Sequence, residues 1–280
     1  MMNILTFDIE DWYCHDNITR DFNWDKHEVR IYDGVDRILD ELAVRNLHGT
    51  FFCLGWLAEH HPAVIRKIYD AGHQIGCHSY QHELSSRLDR DKFMFDTARA
   101  QKCLEDVIGM KVELFRAPAF SITRDNLYVF EVLHELGFTT DCSIFPAVRD
   151  FGGMPGYGCA EPTLLRYNGA TLKEFPINLK TVFGRNIVFS GGGYFRLLPY
   201  LLIRKFTQSS PYVMTYFHPS DFDPEQPRMD YLPLLRRWKN HIGLKGAFKK
   251  FQSYLDDFDF VNIASADRRI DWTKSRTISL

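Results

Sequence analysis

Two histidines four residues apart, His78 and His82 in the run Gly76-Cys77-His78-Ser79-Tyr80-Gln81-His82-Glu83, have the spacing of two ligands on one metal. On a turn of helix the side chains at i and i+4 share a face, so both imidazoles can close on a single divalent cation. Alone the spacing is weak evidence, because a solvated helix start in a chain with 11 histidines carries it too. Its weight comes from company. A carboxylate cluster stands at Asp8-Ile9-Glu10-Asp11, an Arg116-Ala117-Pro118 element and an Asp141-Cys142-Ser143 element follow, and a lone His218 closes an apolar run. Each falls near the end of an expected strand.

A carboxylate and two imidazoles with positions left open form a ligand set for zinc or a similar first-row dication, and open positions suit catalysis. Such an ion polarises a carbonyl and brings the pKa of water towards neutrality. Hydrolysis of an amide then needs a base for the water proton and an acid for the leaving nitrogen. Asp8 is the candidate base and His218 the candidate acid. Arg116 can hold Asp8 ionised by charge pairing, and Asp141 can raise the pKa of His218. The plain alternatives are a buried Arg116–Asp141 ion pair and a core histidine at 218.

The elements that must position these groups alternate along the chain. Residues 4–7 read as a short buried strand, 36–44 as a helix with Ile38, Leu39, Leu42 and Val44 on one stripe, and 49–54 as a strand. A helix over 61–71 has Pro62 in its first turn and Gly72 closing it, and a strand follows at 74–77. Next come a helix over 89–108 ending at Gly109, a strand at 114–115, a helix over 123–136 with Thr123 as N-cap, and a strand at 139–143. Residues 146–211 are punctuated by glycine and proline and read as an inserted, loop-rich lobe with one strand at 172–176. A strand at 213–217, a helix at 244–256 and a strand at 260–263 complete the pattern. Strands alternating with helices call for parallel β/α units, whose functional groups gather at the carboxyl ends of the strands.

Composition narrows the function classes. The chain has 280 residues, 45% hydrophobic and 25% charged, with a formal charge of -2. That fits one large α/β domain and gives no basic surface for nucleic acid. Six scattered cysteines without a Cys-x-x-Cys pair read as reduced, mostly buried thiols. The first residues run straight into a strand without a charged region or a long apolar core, and no apolar run approaches the roughly 18 residues of a membrane span. These features predict a cytoplasmic protein, free or working at the inner face of the membrane. They give the Asn17-Ile18-Thr19 sequon no weight. His15, His60, His61, His73, His134 and His241 read as structural or surface residues, and the Gly191-Gly192-Gly193 run as a flexible turn, since no Lys-Ser/Thr follows it.

The ordered set Thr6-Phe7-Asp8, His78-Ser79-x-x-His82, Arg116-x-Pro118, Asp141-x-Ser143 and His218 resembles the five motifs of the NodB-type polysaccharide deacetylases of carbohydrate esterase family 4. The resemblance spans residues 3 to about 222. The stretch from Gly191 to Pro199 and the run Phe217-His218-Pro219 further resemble the branch associated with bacterial exopolysaccharide gene clusters. The resemblance implies a distorted (β/α) barrel of about seven parallel strands and metal-dependent removal of N-acetyl groups from amino sugars. It implies zinc, with cobalt, nickel or manganese as alternatives, and an N-acetylated sugar or polysaccharide precursor as partner. By motif, Asp8 is the base, His78 and His82 are ligands, Arg116 is the partner of the base, and His218 is the acid with Asp141 behind it. The oxyanion would be held beyond Pro118, by a backbone N–H of Ala119 or Phe120.

Three departures stand out. The family usually carries two adjacent aspartates, the second on the metal, whereas Asp8 is followed by Ile9, Glu10 and Asp11. An extended strand puts Glu10 on the face of Asp8, and a turn after Ile9 favours Asp11. Ala119-Phe120 replaces the usual aromatic-Gly ending of the third motif, and the 146–211 region exceeds what a minimal catalytic domain needs. Glu174-Phe175-Pro176 and Arg196 recur in the resembling branch and either touch sugar hydroxyls or pack the lobe. Two other functions fit the same residues: a related barrel hydrolase of a non-sugar amide or cyclic imide, and a non-catalytic glycan-binding module.

Overall fold

The computed structural model describes residues 1–14, 22–182, 184–227 and 234–280, so His15 and the 17–19 sequon lie outside the described residues. Its N-terminal half is a run of right-sized β/α units. Strand β1 (Met2–Ile4) is followed by β2 (Thr6–Ile9), helix α1 (Ile31–Val44), β3 (Thr50–Cys53), α2 (Gly55–His60), α3 (Pro62–Asp70) and β4 (Gln74–Cys77). Then come α4 (Arg90–Ile108), β5 (Leu114–Phe115), α5 (Tyr128–Glu135) and β6 (Thr140–Asp141). Strands β2, β3, β4, β5 and β6 lie parallel and adjacent in chain order, because each returns through a helix. Covered on both sides, β2 and β3 are buried at every position.

Local chemistry sets the helix ends. The Asp89 carboxylate accepts from the Lys92 amide at 2.9 Å to start α4, and Gly109, at φ 73°, ends it in the left-handed region. Pro62 opens α3. The expected cap at Thr123 does not form. The Asn126 side chain accepts from the Thr123 amide at 2.7 Å instead, closing a turn that delays α5 to Tyr128.

The region 146–211 is more regular than its glycines suggest. It holds β7 (Thr163–Tyr167), β8 (Ala170–Glu174), β9 (Lys180–Val182), β10 (Arg185–Ile187), α6 (Gly192–Leu197) and α7 (Tyr200–Gln208). Strand β8 pairs in parallel with β6, and β7 folds back on β8 through Asn168 and Gly169, at φ 43° and 87°. An Asn-Gly pair with both φ positive is the turn whose twist suits a two-residue hairpin. This part of the expected lobe is thus built into the main sheet. Beyond it lie β11 (Tyr212–Met214), α8 (Leu234–His241), α9 (Leu244–Asp257), α10 (Ile263–Arg269) and β12 (Thr277–Ser279). The strand expected at 260–263 is reduced to one bridge between Val261 and Ile4, because the Asn262 side chain accepts from the Ser265 amide at 2.9 Å and starts α10 there.

The sheet closes on itself through the 212–217 segment. Tyr212–Met214 pairs in parallel with β1, Phe217 bridges Phe7 on β2, and Tyr216 bridges Gly191. With β2, β3, β4, β5, β6 and β8, this makes the distorted barrel of about seven parallel strands. Side chains alternate across its wall. Phe7, Phe51, Phe115 and Val213 pack outward under the helices, with the rings of Phe7 and Phe51 stacked at 4.6 Å. Phe52, Phe175 and Met214 fill a second, interior cluster. All six thiols are free, and no helix among the described residues is long and apolar enough to cross a membrane.

Helices α2 and α4 meet at Gly55, where an added Cβ would stand 2.6 Å from the Ala100 Cα and 2.9 Å from its Cβ. Gly55→Ala is expected to lower stability by about 1–3 kcal/mol, read as an earlier urea midpoint with an unchanged slope.

Candidate active site

The strand ends gather the candidate residues at one mouth of the barrel. Thr6 and Asp8 point inward from β2, and Glu10, two residues further, shares their face. The Glu10 Oε1 atom lies 3.1 Å from His78 Nε2 and 3.1 Å from His82 Nε2, all three side chains being buried. Together they form a group able to hold a metal ion. The tautomer of His78 supports this. Its Nδ1 is 2.7 Å from the Arg116 carbonyl and must donate there, so in the neutral ring Nε2 turns its lone pair towards Glu10. Two acceptors facing each other at 3.1 Å call for a cation or a proton between them.

Asp11, the other candidate ligand, is turned away. Its carboxylate accepts from the amides of Trp12 at 2.7 Å, Arg30 at 2.8 Å and Ile31 at 2.9 Å, satisfying the start of α1. Burial pushes its pKa up to about 6 against the pull of these bonds. The extended chain after Asp8 therefore sets Glu10, and not Asp11, beside the two histidines.

The two histidines do not stand on a helix. His78 continues the β4 ladder, donating its amide to Cys53 O at 2.9 Å, and the chain then turns with Ser79 at φ 69° and His82 at φ 57°. The Ser79 hydroxyl accepts from the His82 amide at 3.0 Å and closes the turn. The rings still meet, at 5.2 Å between centroids, through a loop rather than a helical face.

Arg116 has no solvent exposure, and its Nη1 donates to Asp8 Oδ1 at 2.6 Å and to Thr6 Oγ1 at 2.8 Å. The other Asp8 oxygen, Oδ2, faces His218 Nε2 at 3.8 Å. The expected partner of His218 is corrected by the structure. Asp141 accepts from Ser143 in the interior, opposite Glu174, whereas His218 Nδ1 lies 3.0 Å from Asp221 Oδ2, with Arg196 Nε 3.0 Å from the other Asp221 oxygen. Burial works against protonation of His218, but the Asp221 hydrogen bond and charge, helped by Glu10 and Asp8, overcome it and push its pKa up to about 9. Burial likewise opposes ionisation of Asp221, yet His218 and Arg196 together hold its carboxyl below the usual range. Sequence reasoning missed Asp221, although an acid three residues past His218 was the available signal. Arg196 serves this pair, and Glu174, wholly buried, does not reach a solvent-borne sugar.

Pro118, Ala119 and Phe120 form a single 3₁₀ turn, with Ala119 at φ 50° and Phe120 at φ 55°. The Phe120 amide donates to Ala117 O and the Ser121 amide to Pro118 O, both at 3.0 Å. Of the seven non-glycine residues with positive φ among the described residues, Ser79, His82, Ala119 and Phe120 line this mouth. Such backbone costs about 1–3 kcal/mol each and clusters at functional sites.

Residues 4–140 match the family model for polysaccharide deacetylase, and residues 142–267 match a model described as a domain of unknown function. A peptidoglycan-N-acetylglucosamine deacetylase of Bacillus cereus is 31% identical over 111 residues, 37% of this chain and 40% of that protein. The chain's matches thus span less than half the length of such curated relatives. A crystal structure named as a polysaccharide deacetylase from Mycobacterium smegmatis superposes with a TM-score of 0.67 at 22% identity, covering 100% of this chain and 93% of that one. A family 4 carbohydrate esterase pseudoenzyme from Bacillus anthracis superposes at 0.51 with 14% identity, over 94% of this chain and 64% of its own. The chain carries the NodB-type polysaccharide deacetylase domain of carbohydrate esterase family 4.

Two outcomes follow from the site's partners. Asp11→Ala leaves three backbone donors without their acceptor and is expected to cost about 1–3 kcal/mol in denaturant unfolding. Asp221→Asn removes the anion that keeps His218 protonated, so the alkaline limb of the pH–rate profile should move about one unit or more to lower pH. An unmoved limb would rule Asp221 out as the partner that matters.

Proposed function

We propose that this protein is a divalent-metal-dependent N-deacetylase acting on an amino sugar of a cell-envelope or exopolysaccharide pathway, with zinc as its metal. Glu10, His78 and His82 are the residues that would hold the ion. When bound, it polarises the acetyl carbonyl and makes nearby water more acidic. Asp8 takes the water proton on Oδ2, the oxygen that Arg116 Nη1 leaves uncovered. His218 stays protonated through its bond to Asp221 and delivers the proton from Nε2 to the leaving nitrogen. The Ala119 amide is the donor for the developing oxyanion, since the Phe120 amide is engaged with Ala117.

One observation carries the reading. Beside the three convergent donors of Glu10, His78 and His82 stand an Arg116-paired carboxylate and an Asp221-paired imidazole that face each other at 3.8 Å. The chain acts as one catalytic unit in this account. Base and ligands come from the 4–140 match, and the acid with its partners comes from the 142–267 match.

The test is acetate release from chitooligosaccharides and lipid-linked N-acetyl sugars, with metal content measured on the same preparation. His78→Ala and His82→Ala are each expected to lose bound metal and about a hundredfold or more in turnover, with unchanged far-UV circular dichroism. Retained turnover with metal still bound in either variant would overturn the proposal. Turnover of cyclic imides without acetate from any sugar would identify the related amidohydrolase. A metal-free protein binding glycan equally well after His78→Ala would be a binding module.

A further inference from the structure

Asp141 on β6 and Glu174 on β8 are register partners in a parallel pair, and neither has any solvent exposure. Like charges directly opposite each other destabilise a sheet, and two carboxylates in one dry site do not both ionise. Burial pushes both groups up, Glu174 well above the usual carboxylate range. Each side chain has one oxygen engaged elsewhere. Asp141 Oδ1 accepts from the Ser143 hydroxyl at 2.5 Å, and Glu174 Oε1 accepts from the Ile144 amide at 3.1 Å. Asp141 Oδ2 and Glu174 Oε2, on side chains that stand opposite each other in the sheet, are both shut off from water without a hydrogen-bond partner, and a bond between them would satisfy both. Two acceptors can form such a bond only around a proton. Neighbouring phenols do not supply it: Tyr212 donates to Pro176 O at 2.9 Å, and Tyr157 is paired with Thr163 at 2.5 Å.

The pair is wired to the mouth of the barrel. The Ser143 hydroxyl, donating to Asp141, accepts from the Ala117 amide at 2.8 Å. Ala117 leads directly into the turn whose next residues hold the positive φ angles of Ala119 and Phe120. A strained turn persists only where its surroundings over-determine it, and this hydrogen bond fixes the residue that leads into it. We propose that Glu174 carries the single proton of the pair and acts as a positioning residue. It holds Asp141 as the acceptor for Ser143, so that the Ser143 hydroxyl clamps the Ala117 amide and sets the turn presenting the Ala119 amide. The inference rests on the deacetylase reading for its catalytic consequence, but the proton and the clamp exist independently of it.

The experiment compares Glu174→Gln, Glu174→Ala and Ser143→Ala with the parent. Glutamine reproduces a protonated glutamate, donating to Asp141 and accepting from Ile144, so Glu174→Gln should keep kcat close to the parental value. Glu174→Ala and Ser143→Ala should lower kcat about tenfold or more with KM little changed, because the turn is misplaced only for the transition state. Amide exchange at Ala117, Ala119 and Phe120 should quicken in both alanine variants and not in Glu174→Gln. An infrared band of a protonated buried carboxyl should be present in the parent and absent from Glu174→Gln. If Glu174→Ala does not fold, the other two variants decide. A Glu174→Gln variant as impaired as Ser143→Ala, a parental kcat in Ser143→Ala, or a parent without the carboxyl band would overturn the proposal. A parent releasing no acetate would defeat the deacetylase reading instead, while band and exchange still decide on the proton and the clamp.

Discussion

A guanidinium sealed from solvent at the centre of the barrel is the constraint on which the rest depends. Arg116 reaches Asp8 and Thr6 on β2 and the Cys142 carbonyl beyond β6, and it lies 4.1 Å from the centroid of the Phe52 ring on β3. Its backbone contributes as much. The amide donates to Cys77 O at the end of β4, and the carbonyl takes the His78 Nδ1 proton. A buried charge is tolerable only when its hydrogen-bonding capacity is met, and removing one partner of such a pair typically costs about 3–5 kcal/mol. The strands around Arg116 are therefore held in the arrangement that satisfies it. That arrangement also orients Asp8 and the imidazole of His78.

Asp8 and His218 are held alike, with opposite sign. Asp8 leans on a cation buried in the barrel, and His218 leans on an anion that itself leans on Arg196. Each group is part of a chain of alternating charges, which lets an ionised side chain sit in a poorly hydrated cleft without an uncompensated charge. The 142–267 segment contributes more than His218. It supplies the strand that extends the sheet past β6, the 216–217 bridges that close the barrel, and both carboxylates of the Asp141–Glu174 pair.

Much of this was legible in the sequence because the parallel strands are short apolar runs ending on polar residues. The 74–77 and 114–115 strands and the 89–108 helix match to within a residue, since glycine, proline and an aspartate cap mark their ends. Asp8, His78, Arg116, Asp141 and His218 are expected at strand ends around one mouth for the same reason, and all but Asp141 meet there. The errors have a common source. The histidine spacing suggested a helix, but Ser79 and His82 take left-handed backbone that spacing does not encode. Asp141 was paired with His218 because both sit at strand ends, while the carboxylate that binds His218 lies only one turn further along the chain. Choosing between Glu10 and Asp11 required knowing that α1 begins at Ile31 and takes its amide acceptor from Asp11. The region 146–211 looked irregular because its hairpin and short helices are held by contacts distant in sequence.

The order of strands in the barrel also bears on how the protein assembles. From β2 to β6 each strand pairs with its predecessor, so Glu10, His78 and Arg116 are brought together by successive short-range closures. The segment ending at His218 is different. It pairs with β1 and β2 across some two hundred residues of chain, as in the register of Asn3 with Val213. Contacts of such sequence separation carry a larger loop-closure entropy and form late. His218 is thus expected to arrive last, after Asp8, Glu10 and His78 are already in place. A chain caught before that closure would hold Glu10, His78 and His82 together without the imidazole of His218 beside them.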